Sequence, residues 1–191
     1  MRSTLLKLSR AVFNWPPRPA TAEQKYSIVR RFGRERKLDT LIETGTFRGD
    51  MVEAQRKNFK KIISIELGDE LYEAARNRFK GDDHILVLHG DSSSKLGEAI
   101  GQVQGPVLYW LDAHYSRGIT AHGSKETPVL SELSIISARA QKGDTVLIDD
   151  ARHFGLKLQY PRLSTVKKFV EQHWPGYSCD VVTDVICIVP P

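Results

Sequence analysis

Cysteine is nearly absent from this chain: two occur in 191 residues. Cys179 and Cys187 both lie in apolar, strand-like stretches near the C-terminus, without the spacing of a metal site. That excludes a disulfide-stapled scaffold and reads as reduced packing residues. No apolar run approaches the roughly 20 residues a membrane helix requires. The N-terminal stretch carries Leu5, Leu6, Leu8, Val12 and Phe13, but Lys7 and Arg10 interrupt it and no small-residue cleavage site follows. The expectation is a cytoplasmic protein with neither signal peptide nor membrane span. Also missing are Gly-x-x-x-x-Gly-Lys followed by Ser or Thr, and the dinucleotide spacing Gly-x-Gly-x-x-Gly. A phosphate loop and a nicotinamide or flavin fingerprint are thereby excluded. No internal repeat or low-complexity segment is present.

What remains is ordinary for one globular domain: 40% hydrophobic and 27% charged residues, with a formal charge of +5. The basic excess is spread out, and its densest cluster (Arg30, Arg31, Arg34, Arg36, Lys37) alternates with Ile28, Val29, Phe32 and Leu38. This reads first as the solvated face of a helix, with an RNA or anionic ligand as the other reading. The chain lacks both an aromatic-rich basic patch and an Asn-Pro-Pro-Tyr base-amine motif, which argues against nucleic acid as partner. Residues 1–20 form an amphipathic segment closed by the stiff Pro16-Pro17-Arg18-Pro19 break. Such a segment suits docking on the domain or a homodimer contact. Residues 21–191 then constitute a single domain.

From Thr40 onward, short apolar runs alternate with amphipathic stretches, the pattern of a parallel α/β sheet. Strands are expected at 40–43, 61–65, 85–89, 107–111 and 145–149, and helices at 21–37, 49–58, 69–79, 93–102, 128–140 and 164–173. Thr127-Pro128 supplies a start signal for the fifth helix. Two final strands, 177–182 and 184–189, are separated too closely for a parallel crossover and must be antiparallel. The fold class is α/β, a three-layer Rossmann-like sandwich whose mostly parallel seven-stranded sheet ends in a C-terminal antiparallel hairpin.

In such sheets ligands bind beyond the C-terminal strand ends, where strand order reverses. Glu43, Glu66, Asp91, Asp112, Asp149 and Asp150 all stand at or just past predicted strand ends. Six carboxylates crowded on one rim imply a compensating ligand or cation. The stretch Leu41-Ile42-Glu43-Thr44-Gly45-Thr46-Phe47-Arg48-Gly49 joins a strand to a helix through two glycines, which allow a tight turn and close backbone approach to a ligand. Taken alone, a tight strand-to-helix turn explains it equally well, and Glu43 and Asp91 have a second reading as capping or loop carboxylates.

With these residues in place the chain resembles the class I methyltransferases that use S-adenosylmethionine. The resemblance implies that Glu43, Thr44, Gly45, Thr46, Phe47 and Gly49 form the loop beside the methionine part of that cofactor. Glu66, followed by Leu67, would hold the ribose hydroxyls, and Asp91 with Ser92 would meet the adenine amine. It covers roughly residue 40 to the C-terminus, including the terminal hairpin.

A second group comprises Asp112, His114, Asp149 and Asp150, at the ends of two neighbouring strands. Three carboxylates make a credible shell for a hard divalent cation. Here the chain is similar to the metal-dependent O-methyltransferases of the catechol and macrocin types, which implies Mg2+ held by Asp112, Asp149 and Asp150. A cation would lower the pKa of a hydroxyl acceptor and align it with the methyl group. Asp112 and His114 are the expected catalytic residues, His114 as general base or extra ligand. The lysine that the catechol type carries soon after this aspartate is replaced by Tyr115, Ser116 and Arg117. One Asp of the 149–150 pair could instead cap a turn or pair with Arg152. The polar stretch 115–126 is long enough for a lid, and Arg117, His122, Lys125, Arg152 and His153 suit an anionic or hydroxyl-rich acceptor. The expected function is methyl transfer to a hydroxyl of a small or carbohydrate-like acceptor. An RNA-modifying or RNA-binding protein on the same fold, and a non-catalytic ligand-binding member, remain as alternatives.

Overall fold

The computed structural model describes residues 17–112, 128–139 and 141–191. Most of the expected N-terminal amphipathic segment, His114, the 115–126 stretch and the Thr127 cap lie outside the described residues.

The first helix, α1 (Ala22–Arg36), begins at a capping box in which the Thr21 hydroxyl accepts from the Gln24 N–H and the Gln24 side chain accepts from the Thr21 N–H at 2.8 Å. Lys37, in the left-handed region, ends it. Strands and helices then alternate: β1 (Thr40–Thr44), α2 (Asp50–Gln55), β2 (Lys61–Glu66), α3 (Asp69–Arg78), β3 (Ile85–His89), α4 (Ser92–Gly101) and β4 (Leu108–Leu111). After the interval come α5 (Val129–Ala138), β5 (Thr145–Ile148), a 3₁₀ turn at Ala151–His153, α6 (Leu163–His173), β6 (Ser178–Val182) and β7 (Val185–Val189).

Among the described residues the seven strands form one sheet, ordered β3-β2-β1-β4-β5-β7-β6. The first five pair in parallel, while β7 pairs antiparallel with both β5 and β6. The expected architecture, hairpin included, is the observed one.

Three boundaries moved for identifiable reasons. Helix α2 stops at Gln55 because Asn58 Nδ2 takes the Ala54 carbonyl at 3.1 Å and the Asn58 N–H takes the Gln55 carbonyl. Strand β4 starts at Leu108 because the Val107 N–H is given to Asp144 Oδ1 at 2.8 Å. Strand β5 ends before Asp149, whose own carboxylate accepts the Asp150 N–H at 2.7 Å, with Asp150 turned into the left-handed region at φ 56°.

Both faces of the sheet are covered, so its strands are nearly continuous apolar runs. Alternate residues point to opposite layers. Ile42, Ile63, Tyr109, Leu111, Val146, Ile148 and Ile186 face the layer of α4, α5 and α6, where Leu96, Leu133 and Val166 meet them. Leu41, Ile62, Leu108, Trp110, Leu147 and Cys187 face α1, α2 and α3, packing on Val29, Val52 and Phe79. Cys187 is buried and, like Cys179, a free thiol. No helix among the described residues is long and apolar enough to cross a membrane.

Leu133 is fully buried in the first of these layers. Leu133→Ala is expected to lower stability by about 2–5 kcal/mol through the lost apolar contact and the cavity left behind. Urea denaturation measures it, and a loss below about 1 kcal/mol would contradict this packing.

Candidate functional site

Order reverses in this sheet between β1 and β4, which stay paired up to the point where the chain leaves β1 into its glycine loop. Backbone bonds hold the strand ends in line there. The Asp112 N–H reaches the Thr44 carbonyl at 3.1 Å, the Asp149 N–H reaches Leu111 at 3.0 Å, and the Gly45 N–H reaches Ile65 at 2.9 Å. Gly45 has φ 87°, and a Cβ there would stand 3.0 Å from the Asp112 carbonyl oxygen. Only glycine lets this loop lie against β4. Gly49 has φ 76°, and a Cβ on it would stand 2.7 Å from the Phe79 ring.

Beyond these ends opens a cavity of about 210 Å³ whose lining includes Lys25, Tyr26, Glu43, Gly45, Phe47 and Asp149. Thr46 and Asp112 also border it. Thr44, although part of the expected cofactor loop, is buried at the end of β1. Phe47 is 58% exposed, with φ 50°. The Glu66, Leu67, Asp91 and Ser92 side of the rim lies apart from this cavity.

Each rim carboxylate is compensated differently. Glu43 is buried and accepts from the Ser64 hydroxyl at 2.5 Å, and Ser64 in turn shares a 2.6 Å hydrogen bond with Thr46. Burial pushes its carboxyl well above the usual range; the Ser64 bond pulls the other way, and the charges of Asp112 and Glu66 add to the rise. Glu66 instead accepts two backbone N–H groups, Phe47 at 2.7 Å on one oxygen and Gly68 at 2.9 Å on the other. It thereby ties the β1 loop to the start of α3. Asp91 serves as the N-cap of α4, accepting from the Ser93 N–H at 2.8 Å and from the Ser93 hydroxyl. Leu67, next to Glu66, is exposed, and Ser92 opens α4.

The β5 end departs most from expectation. Lys25, on α1, places its Nζ 2.5 Å from Asp149 Oδ2 and 3.5 Å from Asp150 Oδ1. Burial alone would lower the lysine value, but the hydrogen bond to Asp149 and the charges of Asp149, Asp150 and Asp112 outweigh it and raise it. Burial, then the Asp112 and Asp150 charges, push Asp149 up to about 6, against the opposing pull of Lys25. Each partner's charge favours the charged form of the other.

Asp150 meets Arg152 at 2.6 Å, and that guanidinium also binds Asp184, a fully buried residue of the β6–β7 turn. Asp184 further accepts the Arg152 N–H at 2.8 Å. His153 Nε2 lies 3.8 Å from Asp150 Oδ2. Arg152 thus serves the Asp150–Asp184 turn rather than an open acceptor surface.

These contacts occupy the carboxylates expected to hold magnesium. Asp149 spends one oxygen on a backbone N–H and the other on an ammonium, and Asp150 is held by Arg152 and Lys25. Among the described residues no group of three or more His, Cys, Asp or Glu side chains is placed to hold a metal ion. The expected set of Asp112, Asp149 and Asp150 does not fit Mg2+ in this arrangement, because a lysine already supplies their countercharge.

Two functional-site neighbours escaped the sequence reading, Lys25 and Glu132. Glu132 is fully buried on α5, and no hydrogen bond of ordinary geometry reaches its carboxyl oxygens among the described residues. Burial pushes it up to about 7; the Ser92 and Thr44 hydroxyls oppose this, while Asp91 and Asp112 add to it. A signal existed for both. Glu132 shares the 129/132/133/136 stripe with Val129, Leu133 and Ile136, and Lys25 stands one turn before Val29, so each puts a charge on a helix's buried face.

No family model matches the chain. An O-methyltransferase of Bacillus cereus in complex with SAH superposes with a TM-score of 0.65 at 13% identity, covering 91% of this chain and 84% of that one. The SAH-bound methyltransferase PaMTH1 of Podospora anserina gives 0.63 at 16% identity, covering 90% and 79%. The chain has the class I methyltransferase fold. Among curated proteins, ribosomal RNA small subunit methyltransferase A of Caldanaerobacter subterraneus subsp. tengcongensis is 32% identical over 53 residues, 28% of this chain and 20% of that protein. The match spans only about a fifth of that relative's length. On this methyltransferase fold the cavity lies at the β1–β4 reversal point, where open α/β sheets hold their ligands.

The sign of the Glu132 effect follows from its raised value. Between its ordinary value of 4.5 and about 7, the folded protein keeps a proton that the unfolded chain has released, so stability falls as pH rises through that window. A rise of that size corresponds to about 3 kcal/mol. Glu132→Gln is expected to flatten the decline between pH 5 and pH 8, with Asp149 contributing equally to both proteins. Denaturant titrations at the two pH values measure this; parallel curves for variant and wild type would place the Glu132 proton elsewhere.

Proposed function

We propose that this chain is an S-adenosylmethionine-dependent methyltransferase that acts on a hydroxyl of a small or carbohydrate-like acceptor. The observation carrying the reading is the bare Gly45 loop, which lies so close to β4 that a Cβ on Gly45 would stand 3.0 Å from the Asp112 carbonyl oxygen, and which is tied by Glu66. A loop without a side chain at this position suits a cofactor lying across it. S-adenosylmethionine supplies an electrophilic methyl on a positively charged sulfur.

This chain's residues do the remainder. Glu43, Thr44, Gly45, Thr46, Phe47 and Gly49 form the cradle at the methionine side. Glu66 has lone pairs beyond the two it commits to Phe47 and Gly68, enough to accept ribose hydroxyls. Leu67 follows it on the ribose side, and Asp91 and Ser92 border the adenine side, with Asp91 holding the α4 start in place. Asp112 lies where an acceptor would enter the cavity. By the family resemblance, Asp112 and His114 are the groups to take the acceptor's proton as the oxygen–carbon bond forms and the carbon–sulfur bond breaks. Holding the acceptor in line beside the methyl group supplies the rest of the advantage.

The partial match to an rRNA methyltransferase favours one other reading, an RNA acceptor on the same fold. Arg34 and Lys37 on α1 would then contact phosphate. RNA affinity falling steeply with salt, and weakened by Arg34→Ala, would mark this case.

Calorimetry with S-adenosylhomocysteine tests the main reading. Wild type is expected to bind one equivalent, and Glu66→Ala to weaken binding by about tenfold or more, the loss of a charge-assisted contact pair and the loop tie. No binding by folded wild type, or binding indifferent to Glu66→Ala, rejects the proposal.

A further inference from the structure

Lys25 is the group on this rim that nothing in the strand-end pattern calls for. It arrives from the helix before the sheet, 124 residues from Asp149 in sequence, and buries its charge against two carboxylates. A long lysine loses side-chain freedom in such a position and sheds hydration. The arrangement requires an electrostatic reason. Asp112, Asp149 and Asp150 supply it: three carboxylates at two neighbouring strand ends, each of whose charge acts on Lys25.

We infer that the Lys25 ammonium is the resident cation of this site, standing where a divalent ion would otherwise neutralise Asp112, Asp149 and Asp150. This deepens the methyltransferase reading and rests on it for the acceptor's position, although the cation claim itself is independent of turnover. Three features converge. Lys25 Nζ is bound to Asp149 and within ion-pair range of Asp150, so it already pairs with both acids of the β5 end. Lys25 also lines the cavity with about a fifth of its side chain exposed, so the cation faces the acceptor space rather than the core. Finally, α1 is fixed against the sheet by Ile28, Val29 and Phe32, and by Gln55 Nε2 donating to the Tyr26 carbonyl at 2.9 Å. The position of the ammonium is thus set by packing.

An ammonium has three donors, and Asp149 takes one at close range. The remaining positive surface can meet an acceptor oxygen from the cavity. It carries one charge and cannot be chelated away, which a bound Mg2+ could be.

Mn2+ is the probe, read by electron paramagnetic resonance on the full chain with thermal unfolding as the folding check. Wild type is expected to leave Mn2+ free at about 1 mM, and Lys25→Arg to behave likewise. Lys25→Gln, which is one atom shorter, stays polar and loses the charge, is expected to bind Mn2+ on the order of tenfold more tightly than wild type, and Lys25→Gln with Asp149→Asn to lose that gain. Lys25→Thr serves as the second neutral variant if the first fails to fold. Stoichiometric Mn2+ binding by wild type overturns the inference, as does a folded neutral variant with no gain. Binding of S-adenosylhomocysteine, measured separately, decides the methyltransferase reading whichever way the Mn2+ result falls.

Discussion

Mutual repulsion among carboxylates at one edge of one sheet is the constraint on which the remaining structure turns. Glu43, Glu66, Asp112, Asp149 and Asp150 stand at consecutive strand ends, and most of them are buried. Charges so placed cannot all persist without specific compensation. Each is met by the nearest available means. Glu43 is pushed toward its neutral form and bonded to Ser64. Glu66 gathers two backbone N–H groups. Asp149 takes Lys25, and Asp150 takes Arg152. The compensations are also the struts of the site, since they fix the β1 loop, the start of α3, helix α1 and the β6–β7 turn around one cavity.

That coupling explains why the terminal hairpin matters to a site on the opposite half of the sheet. Asp184 binds Ala151 through its carbonyl and Arg152 through its carboxylate, so the left-handed turn at Asp150 is held from the hairpin side. The Asp149–Asp150 pair is consequently aimed by two distant elements, α1 and the β6–β7 turn. Neither a free loop nor a metal is required to keep the pair in position.

The fold was legible because every strand lies buried on both faces, which writes short, dense apolar runs into the sequence, and because helices of ordinary amphipathy separate them. Boundaries were less so, since they depend on single side-chain bonds: Asp144 to Val107, Asn58 to Ala54, Asp149 to its neighbour. The strand-end acids could be listed from the sequence, but their partners could not. Lys25 and Asp149 are far apart along the chain, and nothing in either segment names the other. What the sequence does carry is the anomaly, a lysine and a glutamate on the buried stripes of α1 and α5. Read strictly, a charge on a buried stripe asks for a partner elsewhere in the fold.

A lysine in the place of a divalent ion, as proposed for Lys25, would alter what the rim can do. A metal draws an acceptor oxygen by direct coordination with two charges and a preferred octahedral geometry. An ammonium offers one charge and hydrogen bonds, so it stabilises a developing oxyanion less and leaves more of the work to alignment and to the base. On the proposed reading, a site built this way would favour an acceptor whose hydroxyl is already acidic or already close to a proton acceptor, and would not depend on ion supply. It would also bind the helix before the sheet into the chemistry. The packing of α1 on Leu41, Trp110 and Leu147 then positions a charge at the cavity as well as covering one face of the sheet.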